Sequence, residues 1–289
     1  MQYLGDTVHL NGQLLPLAEA RISPLDRGFL FGDGVYEVLP VYSRRPFRMA
    51  QHLKRLQQSL DGIQLANPHD LAGWAAIVEQ LVAANPWDDQ GIYLQVTRGA
   101  DVKRDHPFPA VVTPTVFGLS MPLLMPSAEV RERGISAITA ADTRWARCDL
   151  KTTSLLANVL LRQHSVDAGA GETILLRDGL LTEGSAASVF IVSKGSLIAP
   201  PQSQLILPGV TYDVVLELAA QHGLPTEIRP ISEAELRAAD EVWVLSSTKE
   251  VLAVTTLDGQ PVGSGTPGPL GRQMWQWYQT FKNTVMRHG

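Results

Sequence analysis

The stretch Cys148-Asp-Leu-Lys-Thr-Thr-Ser-Leu-Leu156 sets one lysine in front of an apolar run, and the role given to Lys151 decides how the rest of the chain is understood. The chain has six lysines. Five of them, Lys54, Lys103, Lys194, Lys249 and Lys282, lie in polar contexts and read as solvated surface charges. Lys151 stands at the mouth of a helix expected over 154–167. That end of a helix carries partial positive charge, which disfavours a structural ammonium. It favours the neutral amine that a nucleophile requires. The plain alternative is a lysine snorkelling from a loop.

Downstream, Leu181-Thr-Glu-Gly-Ser-Ala-Ala-Ser-Val-Phe-Ile191 places Glu183 between an apolar hairpin and a strand that reads as buried. An acid there costs free energy unless it meets a cation. A protonated pyridine nitrogen is one such cation, and its protonation makes the ring a better electron sink. An exposed turn glutamate is the alternative.

Around these two residues the chain reads as strands and helices in both halves. An Asn11-Gly12 hairpin opens it. A glycine-bearing loop over 26–34 leads into a strand at 35–42. Helices follow at 49–62 and 70–84, the second with Asp70 as N-cap, and strands at 91–98 and 111–121. The second half carries strands at 135–141, 173–177 (followed by an Asp178-Gly179 turn), 187–192, 242–246 and 251–257. Its helices are expected at 211–222, 233–238 and 270–287. The pattern predicts an α/β or mixed α+β protein of two domains: 1–120, a proline-bearing linker at 121–126, and 127–289 carrying Lys151.

Bulk properties narrow the function. With 289 residues, 45% hydrophobic and 18% charged, the chain can bury a large core, and a disordered reading fails. A net charge of -5 offers no global attraction for nucleic acid or anionic membranes. One cysteine, Cys148, rules out an intrachain disulfide, and the expected setting is cytoplasmic and soluble. Gly169-Ala-Gly171 precedes a strand and 263–268 lacks a Gly-Lys-Ser/Thr ending, so neither is a nucleotide motif. The seven histidines have no ligand spacing, and no Gly-x-Ser-x-Gly elbow is present.

Several stretches, in order, resemble the fold-type IV pyridoxal 5′-phosphate (PLP) enzymes, and within them the D-amino acid transaminases. They are Asp26-Arg-Gly-Phe-Leu-Phe-Gly-Asp-Gly-Val-Tyr-Glu-Val38, Gln95-Val-Thr-Arg-Gly99, Arg144-Trp-Ala-Arg-Cys-Asp-Leu-Lys151, Leu181-Thr-Glu-Gly184 and Leu207-Pro-Gly-Val-Thr211. The resemblance implies the two-domain fold-type IV architecture and PLP as cofactor. It makes Lys151 the Schiff-base lysine and proton carrier, and Glu183 the partner of the pyridine nitrogen. Arg55, Val210, Thr211 and Ser247 match the phosphate anchors. Of these, an arginine on a helical face is otherwise solvated, and Thr211 alone reads as a helix cap. Ser188 stands where the family usually has asparagine, and Tyr212 where it usually has a basic residue.

Lys103-Arg-Asp-His-Pro-Phe-Pro109 resembles the Arg-x-His loop that, in the D-amino acid group, reaches the partner subunit's active site. With Tyr36, Arg104 and His106 would then grip a substrate carboxylate. The implied activity is ping-pong amino transfer from D-amino acids to 2-oxo acids by a homodimer. Branched-chain L-amino acid transaminase, R-selective amine transaminase and aminodeoxychorismate lyase are the alternatives within the same fold.

Overall fold

The structure, a computed structural model, describes residues 4–288. Contacts divide it into two units. The first runs to Leu123 and takes in Leu150–Leu155 and the chain end from Val285; the second comprises Leu124–Asp149 and Leu156–Thr284. Each mixes helix and sheet, the fold class expected. Placing all of 127–289 in one domain is corrected by these contacts, because the lysine segment pairs by backbone hydrogen bonds with the first unit (below).

In the first unit, β1 (Thr7–Leu10) and β2 (Gln13–Pro16) are joined by Asn11 and Gly12 at φ 50° and 89°, the left-handed pair a two-residue hairpin needs. The expected loop 26–34 contains a short helix, α1 (Arg27–Phe31), started by the Asp26 side chain accepting from Gly28 N at 2.8 Å. Gly32 ends it at φ 67°, where a Cβ would lie 2.5 Å from Ser154 Oγ. The unit continues through β3 (Gly34–Tyr42), β4 (Arg45–Pro46), α2 (Met49–Gly62), α3 (Leu71–Ala84), β5 (Gln90–Thr97) and β6 (Thr115–Pro122). Asp70 caps α3 through Gly73 N at 2.8 Å. Sheet order is β2-β1-β6-β5-β3-β4. The strand expected from 111 starts only at Thr115, since Pro114 has no amide hydrogen for the ladder.

Val35, Leu39 and Val41 alternate along β3 and pack on Leu53, Leu56 and Leu60 of α2. Period two on the strand thus meets helical spacing on the helix. Each such side chain contributes about 1.5–3 kcal/mol on burial. Glu37 falls in the same inward register, and the fold must answer that charge.

The second unit holds α4 (Ala128–Arg133), β7 (Ile135–Ala141), α5 (Leu156–Asp167), β8 (Glu172–Arg177), β9 (Leu180–Gly184), β10 (Ser188–Ser193) and β11 (Ser196–Ala199). It goes on with α6 (Val210–Gln221), β12 (Thr226–Ile228), α7 (Glu233–Arg237), β13 (Glu241–Ser246), β14 (Glu250–Leu257), β15 (Gln260–Pro261) and α8 (Pro269–Phe281). The order is β12-β11-β10-β13-β14-β7-β8-β9, with β15 against β14. β7 and β8 are parallel, which demands a crossover, and α5 provides it. Asp178 and Gly179, at φ 53° and 75°, turn β8 tightly into β9 and so deliver Glu183 next to Gly184 at the strand end. The closing helix is shorter than expected, because 282–286 widen into a π turn. Among the described residues no helix is long and apolar enough to cross a membrane.

Candidate functional site

In the first unit Lys151 does not open a helix, as α5 begins at Leu156. The β-branched pair Thr152-Thr153 prefers extended backbone, and the segment runs along the edge of β3. Tyr36 N donates to Lys151 O at 2.9 Å, Thr153 N donates to Gly34 O at 3.0 Å, and Thr152 bridges Val35. Lys151 N donates to Ser59 Oγ of α2 at 3.0 Å. The backbone of Lys151 is therefore fixed on both sides, and its half-buried side chain sets Nζ 4.3 Å from the centre of the Tyr36 ring. An aromatic face attracts an ammonium at this range.

Behind this lysine lies a buried charge cluster. Glu37 has no exposed surface. Arg55 Nε donates to Glu37 Oε2 at 2.9 Å and Arg55 Nη2 to Oε1 at 2.6 Å. His52 Nδ1 lies 3.0 Å from the same Oε1. Arg55 is thus buried and ion-paired rather than solvated. His52, Arg55 and Ser59 follow one another at three- and four-residue steps, so one face of α2 serves both Glu37 and Lys151.

Burial pushes the Glu37 carboxyl up, but the Arg55 charge and the bonds from His52 and Arg55 override it and hold it well below the usual range. Burial lowers His52, with the Arg55 and Lys151 charges acting the same way against Glu37. A neutral imidazole facing a carboxylate must carry its proton on Nδ1. Because the folded-state value for Glu37 is depressed, its stabilisation is present above the ordinary value of 4.5 and is lost as pH falls. Glu37→Gln is expected to cost about 3–5 kcal/mol in urea unfolding at pH 7, since it removes the negative charge that faces a buried guanidinium. The wild type should lose this advantage on acidification below 4.5; a variant as stable as the wild type at pH 7 would show that the cluster is not a stabilising one.

Arg104 and His106 lie elsewhere in the first unit, exposed on the 101–113 loop. Both meet Phe31 of α1, Arg104 Cζ at 5.2 Å from the ring centre and His106 ring to ring at 5.4 Å. Tyr36 instead stacks on Tyr93 at 5.5 Å. The loop backbone is held by Arg27, 3% exposed, which donates to Asp105 O at 2.6 Å and His106 O at 2.9 Å. Asp33 binds Arg27 and Arg98 together, each at 2.8 Å. Sequence reasoning missed this Arg27–Asp33–Arg98 bracket, although all three residues lie in stretches quoted above.

In the second unit Glu183 is buried, and its two oxygens are both engaged. Oε1 accepts a short hydrogen bond from Arg144 Nη1, and Oε2 accepts from Leu207 N at 3.2 Å. Arg144 in turn grips Asp142 with Nε and Nη2, each at 2.9 Å. Asp142 also accepts from Thr182 Oγ1 at 3.0 Å and pairs with Arg177 at 3.1 Å. Burial pushes the Glu183 carboxyl up to about 7 even though the Arg144 charge opposes it. A further cation at this carboxylate would be stabilised, so the site suits a protonated ring nitrogen.

Val210 and Thr211 start α6 and are buried. Gly209 gives that helix no side-chain cap, leaving first-turn amides suited to an anion. Ser188 and Tyr212, the two departures from the family pattern, meet at this point. A Cβ on Gly209 would lie 3.0 Å from Ser188 Oγ and 3.1 Å from Tyr212 Cβ. Tyr212 Oη donates to Pro200 O at 2.9 Å, so its hydroxyl is used in packing. Ser247 sits in the turn between β13 and β14, where Lys249 N donates to Ser246 Oγ at 3.0 Å.

Two of the lysines expected to be solvated are not. Lys249 Nζ makes a short bond to Glu172, which has no exposed surface. Lys282, 8% exposed, is 2.8 Å from buried Glu250. Their partners lie far away in sequence, which local context cannot reveal. Among the described residues there is no group of His, Cys, Asp or Glu able to hold a metal ion.

Comparison with known proteins gives this geometry a setting. The family described as amino-transferase class IV matches residues 34–257. The chain is 41% identical to a D-alanine aminotransferase of Bacillus licheniformis over 92% of this chain and 94% of that one. It is 34% identical to a D-alanine aminotransferase of Staphylococcus haemolyticus, over 95% and 97%. In structure it resembles a branched-chain amino acid aminotransferase of Escherichia coli, at TM-score 0.89 and 25% identity over 96% and 94% of the two chains.

Proposed function

We propose that this chain, which belongs to the class IV amino-transferase family, moves the amino group of D-amino acids such as D-alanine and D-glutamate to 2-oxo acids such as 2-oxoglutarate. The observation that carries this reading is the full-length similarity to two D-alanine aminotransferases at 41% and 34% identity. The structural likeness to a branched-chain enzyme at 25% identity supports L-branched-chain substrates as the second reading.

Pyridoxal phosphate is the cofactor of this proposal, and the donor set suits it. Within the first unit Arg55 is a cationic donor of the kind a phosphate takes, and within the second the amides of Val210 and Thr211 and the Ser247 hydroxyl are neutral ones. Glu183 offers the carboxylate for a ring nitrogen, and Lys151 the amine that attaches the cofactor. When bound, the cofactor supplies a ring able to store the electron pair left behind when a proton leaves the substrate α-carbon. Lys151 would hold the cofactor until the substrate amine took its place, and its freed amine would then accept the α-proton and carry it. Glu183 keeps the proton on the ring nitrogen. Tyr36, with Arg104 and His106, holds the substrate carboxylate. The amino donor leaves as a 2-oxo acid before the acceptor enters, giving ping-pong kinetics.

Arg104 and His106 reach a substrate, in this reading, in a second copy of the chain. The exposure of Phe29 (78%), Val102 (93%) and Val111 (82%) beside that loop in the first unit supports a covered surface. One lysine protonates one face of a planar carbon, so the pocket that grips the carboxylate fixes the product's hand. The ratio of kcat/KM for D-alanine to L-alanine is expected to be at least about a hundredfold, because the wrong hand leaves a charged donor unpaired. Higher kcat/KM on L-leucine or L-valine would move the chain to the branched-chain reading. A light-scattering mass of a single 31.5 kDa chain would remove the second copy.

A further inference from the structure

The second unit contains a buried line of alternating charges that ends on Glu183. Side-chain exposure along it is 18% for Arg177, 0% for Asp142, 5% for Arg144 and 8% for Glu183. Asp142 takes two of the Arg144 donors in a planar fork, and its Oδ1 also accepts from Arg144 N at 3.1 Å. Arg144 Nη2 donates as well to Leu205 O at 3.2 Å. The guanidinium is thereby fixed in plane and rotation, with Nη1 left to meet Glu183 Oε1. A bidentate fork of this kind fixes where the positive charge sits relative to Glu183.

We infer that Arg144, oriented by Asp142, is a positioning residue that keeps Glu183 ionised, so that the proton shared between Glu183 and the ring nitrogen resides on the ring. The inference rests on the reading that Glu183 faces that nitrogen. Two bases that compete for one proton in a dry site share it according to the surrounding field. Here burial raises Glu183, the Arg144 charge and hydrogen bond lower it, and the Asp142 charge raises it. Without Arg144, burial and Asp142 both act to protonate the carboxyl. A neutral Glu183 would donate to the nitrogen instead of holding a protonated one, and the ring would withdraw electrons less strongly.

The test is nitrogen-15 NMR of holoenzyme loaded with pyridoxal phosphate labelled at the ring nitrogen. The wild type is expected to show the large upfield position of a protonated pyridine, and Glu183→Gln to lose it. A Glu183→Gln protein that keeps the protonated signal would defeat the underlying placement of Glu183. Given a responsive Glu183→Gln, Arg144→Gln is expected to lose the protonated signal too, with kcat lower by about ten- to a hundredfold and KM little changed. Because that variant takes the guanidinium fork from Asp142 and leaves it Arg177, the paired Asp142→Asn/Arg144→Gln protein carries the same expectation with less unbalanced buried charge. Arg144→Lys, which retains the positive charge, should restore the protonated signal. A protonated ring in the paired variant, beside an unprotonated one in Glu183→Gln, overturns the inference.

Discussion

Replacing Lys151 by alanine is expected to lower D-alanine transamination about ten thousandfold, the upper end of what a positioned proton carrier supplies. The protein should nonetheless fold and still take up pyridoxal phosphate without a covalent link. The reason lies in how the segment is held: Lys151 is fixed through its backbone, by Tyr36 N and by Ser59 Oγ, and those bonds survive truncation of the side chain. Borohydride treatment of the wild type should fix the cofactor on Lys151, as read by peptide mass. A reduced adduct on Lys54, Lys249 or any other lysine sinks the assignment.

The second large effect belongs to Glu183. Glu183→Gln is expected to reduce kcat by about a hundred- to a thousandfold, the scale of losing one preorganised electrostatic contact, while KM for the amino donor changes little. In the proposed placement its interaction with the ring would strengthen as the α-proton leaves, so the loss would fall on the transition state and not on binding. A deuterium label on the substrate α-carbon should give a larger isotope effect in the variant than in the wild type. Unchanged turnover would reduce Glu183 to a turn residue.

Much of the scaffold was legible because its patterns are local. The helix at Met49–Gly62 and the strand at Ile135–Ala141 have the expected bounds, since helical and alternating spacing declare themselves within a dozen residues. The Asn11-Gly12 and Asp178-Gly179 turns followed from conformational preference alone. α1 was hidden because Gly28 and Gly32 make its sequence look like a loop, and only the Asp26 cap marks its start.

The site was legible as residues, less so as an arrangement. Glu37 and Arg55 betray their pairing only when aligned with Val35, Leu39 and Val41 on the strand and with Leu56 and Leu60 on the helix. Both are charges set in otherwise apolar registers. Nothing local in the sequence marks Arg144, because its neighbours in space, Glu183 and Leu205, lie 39 and 61 positions away. Lys151 fell on an extended edge instead of a helix mouth, since Gly34 and Tyr36 offered backbone partners that outcompeted an earlier start of α5.

The first unit draws its last pieces from distant parts of the chain. Leu150–Leu155 completes the edge of β3, and at the chain's end Arg287 grips Asp89 with bonds of 2.8 and 2.6 Å. During synthesis on the ribosome, the strand that carries Tyr36 and Glu37 therefore emerges with an open edge. That edge stays unpaired until more than a hundred further residues have followed, and such bare edges invite pairing with other nascent chains. A fragment ending near residue 123 would keep the defect permanently. The lysine segment thus also serves as a late closing strip, tying the cell's ability to accumulate this protein to the same six residues that carry Lys151.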